Sequence, residues 1–132
     1  KNRRYLYFGR AAAILDDIAN FIPARIAGLL IVLTAYCLRL DGRNAWHIFC
    51  RDRYNHSSPN SAQTEAACAG ALHLQLGGDA AYSGEILSRP TLGDGDRPSG
   101  PDDIHQANRL LYGSSFICLL LGLLVKGVIL WR

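Results

Sequence analysis

The sequence predicts an all-α fold, a fragment of a polytopic membrane protein in which two candidate transmembrane helices flank a polar helix-loop segment. Three observations predict it. Two apolar runs, 21–38 and 110–131, each approach the ~20 residues that a helix needs to cross a bilayer. The stretch between them, 39–109, is polar by comparison and must lie in water or against other protein. The chain holds no methionine and opens on Lys1-Asn2-Arg3-Arg4, which reads as a piece of a longer product. Residues 1–10 also alternate basic and aromatic groups where the apolar core of a signal peptide would follow the charges.

Taken in order, the first run (FIPARIAGLLIVLTAYCL) is interrupted at its start by Pro23 and Arg25, and only 26–38 is free of charge. A buried helix of a soluble core stands beside a membrane span as its reading. In the polar segment, Asn60 followed by Gln63 has the form of a capping box. The Ala-rich run 61–76 continues it as a helix that Gly77-Gly78 would stop. Residues 87–100 are dense in Gly, Pro and Asp and predict a loop without regular structure. Pro101 suits a first helical position, and Asp102 and Asp103 complement the positive end of the helix that follows. That helix runs into the second span, whose only charge before its end is Lys126, placed to snorkel, with Trp131 and Arg132 as interfacial anchors.

The net charge of +3 is too small and too dispersed for the dense basic stripe that nucleic acid requires, so that partner class is excluded. Cys37, Cys50, Cys68 and Cys118 lack CxxC spacing and predict free, buried thiols.

Three groups of residues have the types and spacing for chemistry. In Asp16-Asp17-x-x-Asn20-x-x-Pro23-x-Arg25, helical spacing turns both acids and Asn20 to one side, and Pro23 starts or bends a helix there. Ionisable groups at the lip of a span usually face a cavity or a partner; the plainer alternative is a helix end where the acids neutralise Arg25. The second group is RDRYNHSSPN, 51–60, whose guanidinium groups and following helix start suit a phosphorylated ligand, with an ordinary polar connector as the alternative. The third joins Glu65, one turn beyond Ser61 and expected to face the same pocket as the polar loop, with the segment containing Gly77, Gly78, Tyr82 and Gly84. There is no P-loop, no GxGxxG, no GxSxG elbow and no metal-binding His pair, and Asp94-Gly95-Asp96 is turn chemistry rather than a calcium loop.

The order and wording of four blocks resemble one family. LDDIANFIPARI (15–26), RDRYNHSSPN (51–60), EAACAGAL (65–72) and LGGDAAYSGE (76–85) are similar to consecutive blocks of the CobD/CbiB family, adenosylcobinamide-phosphate synthase, over about 5–111. The resemblance makes 1–132 the C-terminal portion of a multi-pass protein of a prokaryotic inner membrane, without the family's N-terminal half. It implies ATP-dependent amide formation in cobalamin biosynthesis, joining adenosylcobyric acid to aminopropanol phosphate, or aminopropanol giving cobinamide, with Mg2+ and ATP. The matching polar positions are Asp16, Asp17, Asn20, Arg25, Arg51, Asp52, His56, Ser58, Asn60, Glu65 and Tyr82, with glycines at Gly77, Gly78 and Gly84. Asp79-Ala80 replaces an expected Pro-Asn pair, and Gln63 stands where an aromatic is common.

That chemistry gives the residues roles. A carboxylate becomes reactive toward an amine once phosphorylated, so the site must hold magnesium and several phosphate groups. Asp16, Asp17 or Glu65 would bind the metal, and Arg25, Arg51 and Arg53 would neutralise phosphate oxygens. His56 or Asp52 would take the ammonium proton. Two rival readings carry other outcomes: a corrinoid-binding fragment without activity, and a small transport subunit.

Overall fold

The computed structural model describes residues 6–82 and 85–131. Among the described residues five helices dominate: α1 (Leu6–Ala19), α2 (Phe21–Cys37), α3 (Gly42–Asp52), α4 (Ala62–Leu72) and α5 (Pro101–Leu130). Between α4 and α5 lie four short strands, β1 (Leu76–Gly77), β2 (Ala80–Tyr82), β3 (Glu85–Leu87) and β4 (Thr91–Leu92). β1 pairs antiparallel with β4, Leu76 opposite Leu92, and β2 pairs antiparallel with β3, Ala80 opposite Leu87. The fold is therefore mostly helical and not the all-α fold expected, and part of the 87–100 loop is strand.

α4 is the centre of the packing, because alanine and glycine let other backbones come close. Ala62, Ala66, Ala67, Ala69 and Ala71 are buried, with α2 and α3 laid against them. A Cβ on Gly70 would stand 2.7 Å from the Asn44 carbonyl oxygen, and one on Gly28 would stand 2.5 Å from the Phe49 ring. Phe49, Ile48 and Leu110 fill the space these contacts leave. Asp41 caps α3, its side chain accepting from the Asn44 N–H at 2.8 Å.

Two helix ends differ from expectation. The residues of the expected capping box point elsewhere: Asn60 turns to α1 and α2, Gln63 donates to the carbonyls of Pro59 and Arg53, and α4 begins after Ser61 without a side-chain cap. The C-terminus comes four residues before the double glycine. His73 adopts a left-handed conformation (φ 55°) and closes the helix, with the Leu74 N–H returning to the Ala69 carbonyl. Gly77 (φ 78°) belongs instead to the β1–β4 ladder, where a side chain would meet the Pro90 carbonyl.

α5 is a helix long and apolar enough to cross a membrane, and from Leu119 to its end its large side chains are exposed. The expected 21–38 span is α2, which has one face buried (Leu30, Val32, Ala35) and another exposed (Ile26, Leu29, Leu33). It meets the length and composition of a span only together with Gly9–Ala19, across a bend of 48°. The thiols are free as expected but not buried: Cys37, Cys50 and Cys118 are exposed and Cys68 is half-buried.

The outer surface of α5 leads to a first expected result. Leu119, Leu120, Leu123, Leu124 and Val125 are each about half exposed or more, an unbroken apolar patch that water does not tolerate. The protein should fractionate with membranes and need detergent for extraction. A stable monomer in detergent-free buffer would contradict this.

Candidate functional site

The helix break at Asn20 brings the first two groups together. Asn20 reaches back along its own turn, its Nδ2 donating to Asp16 Oδ1 at 2.9 Å. Arg25 lies over the Phe21 ring, 3.4 Å from its centroid, and donates to the Phe21 carbonyl at 2.6 Å and to Asn60 Oδ1 at 3.2 Å. Asn60 Nδ2 in turn donates to the Asp17 carbonyl at 2.9 Å and approaches Asp17 Oδ1 at 3.4 Å. Ser58 Oγ donates to the same Oδ1 at 2.8 Å. Asn60 thus bridges Asp17 and Arg25, which do not pair directly. Residues about forty positions apart in the chain form one hydrogen-bonded unit, and Asp17 Oδ2 is left without a donor among the described residues.

The start of the 51–60 loop forms a separate unit. Arg51 grips Asp52 with Nε and Nη2 at 2.7 and 2.8 Å, and its Nη1 meets Asp94 Oδ1 at 2.7 Å. Asp52 is 3% exposed and also accepts from the Gly93 N–H at 2.8 Å. The Arg51 guanidinium, and after it the Gly93 N–H, hold the Asp52 carboxyl below the usual carboxylate range. The two carboxylates likewise raise Arg51 above its ordinary value. A carboxylate so strongly ionised and so fully bonded is a weak proton acceptor. His56 is also engaged, since its Nδ1 lies 3.0 Å from the Ser58 N–H and accepts from it.

Arg53 differs from both neighbouring arginines. Its guanidinium rests against the rings of Tyr54, at 4.8 Å, and Phe49, at 5.2 Å. It has no hydrogen-bond acceptor among the described residues, and its buried Nε is unsatisfied, as is the buried Oε1 of Gln63.

The third group separates. Glu65 lies with Ala27, Ser114, Cys118 and Lys126 on an open, largely apolar groove of about 940 Å3 between α2, α4 and α5, and no residue of the 51–60 loop lines it. The expectation that Glu65 shares the polar loop's pocket is therefore corrected. Gly77 and Gly78 belong to β1 and the turn after it, Tyr82 ends β2, and Gly84 lies outside the described residues. Among the described residues no three His, Cys, Asp or Glu side chains are arranged to hold a metal ion. At the helix break Asp17 Oδ2 is a carboxylate oxygen without a donor among the described residues, the type of ligand that Mg2+ takes singly or in pairs when phosphate and water complete its shell. Asp94 and Gly93, read as mere turn residues, are the partners that sequence reasoning missed; the adjacent Arg51-Asp52 pair was the available signal.

A family model described as CobD/Cbib protein matches residues 1–111. Relatives carry the names cobalamin biosynthesis protein CobD, in Desulfotalea psychrophila (49% identical, covering 98% of this chain and 39% of the relative) and Clostridium perfringens (43%, 98% and 41%). Another is cobalamin biosynthesis protein CbiB of Salmonella arizonae (46%, 92% and 38%). The chain spans about two fifths of the length of these relatives. No solved structure matches it.

Proposed function

Because the chain belongs to the CobD/CbiB family, we propose that it supplies part of the site of an ATP-dependent amide ligase of cobalamin biosynthesis. The substrates proposed are adenosylcobyric acid and aminopropanol phosphate, or free aminopropanol. The observation that carries this reading is the union of the α1–α2 break with the 51–60 loop through Asp17, Ser58, Asn60 and Arg25. A polar helix break beside candidate membrane spans is where backbone and side chains can meet a charged ligand.

ATP would supply the phosphoryl group that activates the corrinoid carboxylate, and Mg2+ would neutralise its phosphates. Asp16 and Asp17 are the proposed metal carboxylates. Glu65, on the apolar groove, is a weaker candidate. Asn20 and Asn60 orient these acids and Arg25. His56, with Nδ1 accepting from the Ser58 amide, is a donor through Nε2 when neutral. That tautomer, and the saturation of Asp52 by Arg51 and Gly93, leave neither residue well placed to take the ammonium proton. The glycines at 77, 78 and 84 and Tyr82 are proposed to border the corrinoid.

We further propose that α5 and the bent α1–α2 pair are two spans of a multi-pass protein of the prokaryotic cell membrane, with 39–109 as its polar segment. The chain would be the C-terminal portion of a longer membrane domain and would work with the portion of its relatives that it does not match. Of the two arginines that open the polar loop, Arg53 is the one free to meet a phosphate, because Arg51 is saturated by Asp52 and Asp94. In the full-length protein Arg53→Ala should raise the KM for ATP or aminopropanol phosphate about 10- to 100-fold, the worth of a charge-assisted hydrogen bond. Arg51→Ala should instead lower the melting temperature by stranding buried Asp52. Steady-state kinetics and thermal unfolding in detergent check both, and an unchanged KM in Arg53→Ala would remove it from the site.

A further inference from the structure

His73 occupies a conformation that its side chain must justify. A non-glycine residue in the left-handed region carries a steric cost, although histidine is among the residues found there more often than most. Here the conformation places the imidazole between two acids from distant parts of the chain. Nε2 lies 3.1 Å from Asp41 Oδ2, at the start of α3, and Nδ1 lies 2.8 Å from Asp96 Oδ2, in the loop after β4. A neutral imidazole has one N–H, so one of these carboxylates would then face a lone pair; both contacts are hydrogen bonds only when the ring is an imidazolium. The Asn44 amide, which gives one hydrogen to the Gly70 carbonyl at 2.9 Å, also approaches Nδ1, at 3.4 Å, a longer contact than that of Asp96.

The loop that Asp96 belongs to is tied down along its length. Gly93 donates to Asp52, Asp94 pairs with Arg51, and Arg97 bonds both Asp103 and the Leu72 carbonyl. Only the Asp96 tie depends on a group that changes charge near neutral pH.

We propose that His73 is a pH-sensitive latch, its imidazolium fastening the 93–97 loop to the adjoining ends of α3 and α4 through Asp96 and Asp41, and releasing one of the two carboxylates when it loses its proton. The other charged and titratable groups around the ring are Arg43 and His47, which line the same cleft from α3, and Arg97 of the loop itself, which bonds the Leu72 carbonyl at the end of α4. The arginines oppose the imidazolium, and the two carboxylates in direct contact favour it. The hydrogen bond to Asp96, followed by that to Asp41, raises the His73 pKa above its ordinary value. The Asn44 N–H, and then His73, lower that of Asp41.

The sign follows from these directions. The histidine's contribution is complete below its unfolded pKa of about 6.5 and is lost as pH rises through the higher folded value. Asp41's contribution is present above its ordinary 3.8 and is lost as pH falls through the lower folded value. The latch is therefore strongest in mildly acidic solution. The side chains of His73, Asp41 and Asp96 are 37%, 44% and 56% exposed, so water and salt screen it and its effect is confined to the loop tip. The latch stands without the reaction proposed above.

The test is an NMR titration of the purified protein in detergent micelles, following the His73 ring and the Gly95 backbone amide. The wild-type ring should titrate above the free-imidazole value, and the Gly95 amide should shift with the same midpoint. Asp96→Asn should lower the ring midpoint. His73→Asn, which tolerates the left-handed conformation, should remove the Gly95 transition while the fold is kept. A ring midpoint at or below that of free imidazole, a midpoint unmoved in Asp96→Asn, or a Gly95 transition that survives His73→Asn would each overturn the latch. Activity is not part of the readout, so failure of the ligase reading leaves this result intact.

Discussion

Asp17→Asn in the full-length protein should lower ATP-dependent amide formation by about 100-fold or more, the scale of losing a charge that stabilises the reacting phosphates, while the protein stays folded in the membrane. The substitution separates structure from chemistry because both side-chain contacts, from Ser58 Oγ and Asn60 Nδ2, fall on Oδ1. An asparagine oxygen placed there accepts both. Only Oδ2 changes, from a carboxylate oxygen without a donor among the described residues to an amide NH2 that no magnesium ion accepts. Arg25 does not depend on the charge, since its contacts go to Phe21 and Asn60. Turnover at rising magnesium, alongside a melting curve, checks this. Normal turnover with a lowered melting temperature would assign Asp17 a structural role and leave Glu65 as the metal candidate.

Gly70→Val should cost the fold about 3 kcal/mol or more, the range of severe overpacking with loss of a buried hydrogen bond. The added Cβ would stand 2.7 Å from the Asn44 carbonyl, 2.8 Å from Ala45 Cα and 2.9 Å from Ile48 Cβ. Backbone supplies two of these atoms, so rotamer changes give no relief and α3 must move away from α4. That movement would also break the bond from Asn44 Nδ2 to the Gly70 carbonyl. Gly122→Val is the matched control, because a Cβ there meets nothing within 4 Å. Melting temperatures in detergent should fall steeply for the first variant and little for the second; equal values would mean that the close α3–α4 approach is not a source of stability.

Much of α5 is legible because 110–125 carries no charge and Pro101 with two acids marks its start. α2 was ambiguous for a physical reason: an apolar run does not reveal which face packs against α4, and both faces here are apolar. The strands, two or three residues each, are too short to show an alternating pattern. α4 is legible in the sequence but its end is not, because the chain turns at a histidine held by two acids instead of at the glycines downstream. The candidate site was visible as separate motifs. Their junction was not, because local spacing carries no information about a contact between Asp17 and Ser58, 41 positions apart. Glu65 shows the converse: one helical turn from Ser61 suggested a shared pocket, but α4 turns it into the groove beside α5.

The most direct measurement is product formation by membranes containing the full-length protein, supplied with adenosylcobyric acid, aminopropanol phosphate, magnesium and ATP and followed by mass spectrometry. The account predicts an amide-linked corrinoid that appears only with ATP and is lost in Asp17→Asn. Retention of the corrinoid by these membranes with no ATP-dependent amide product would contradict it.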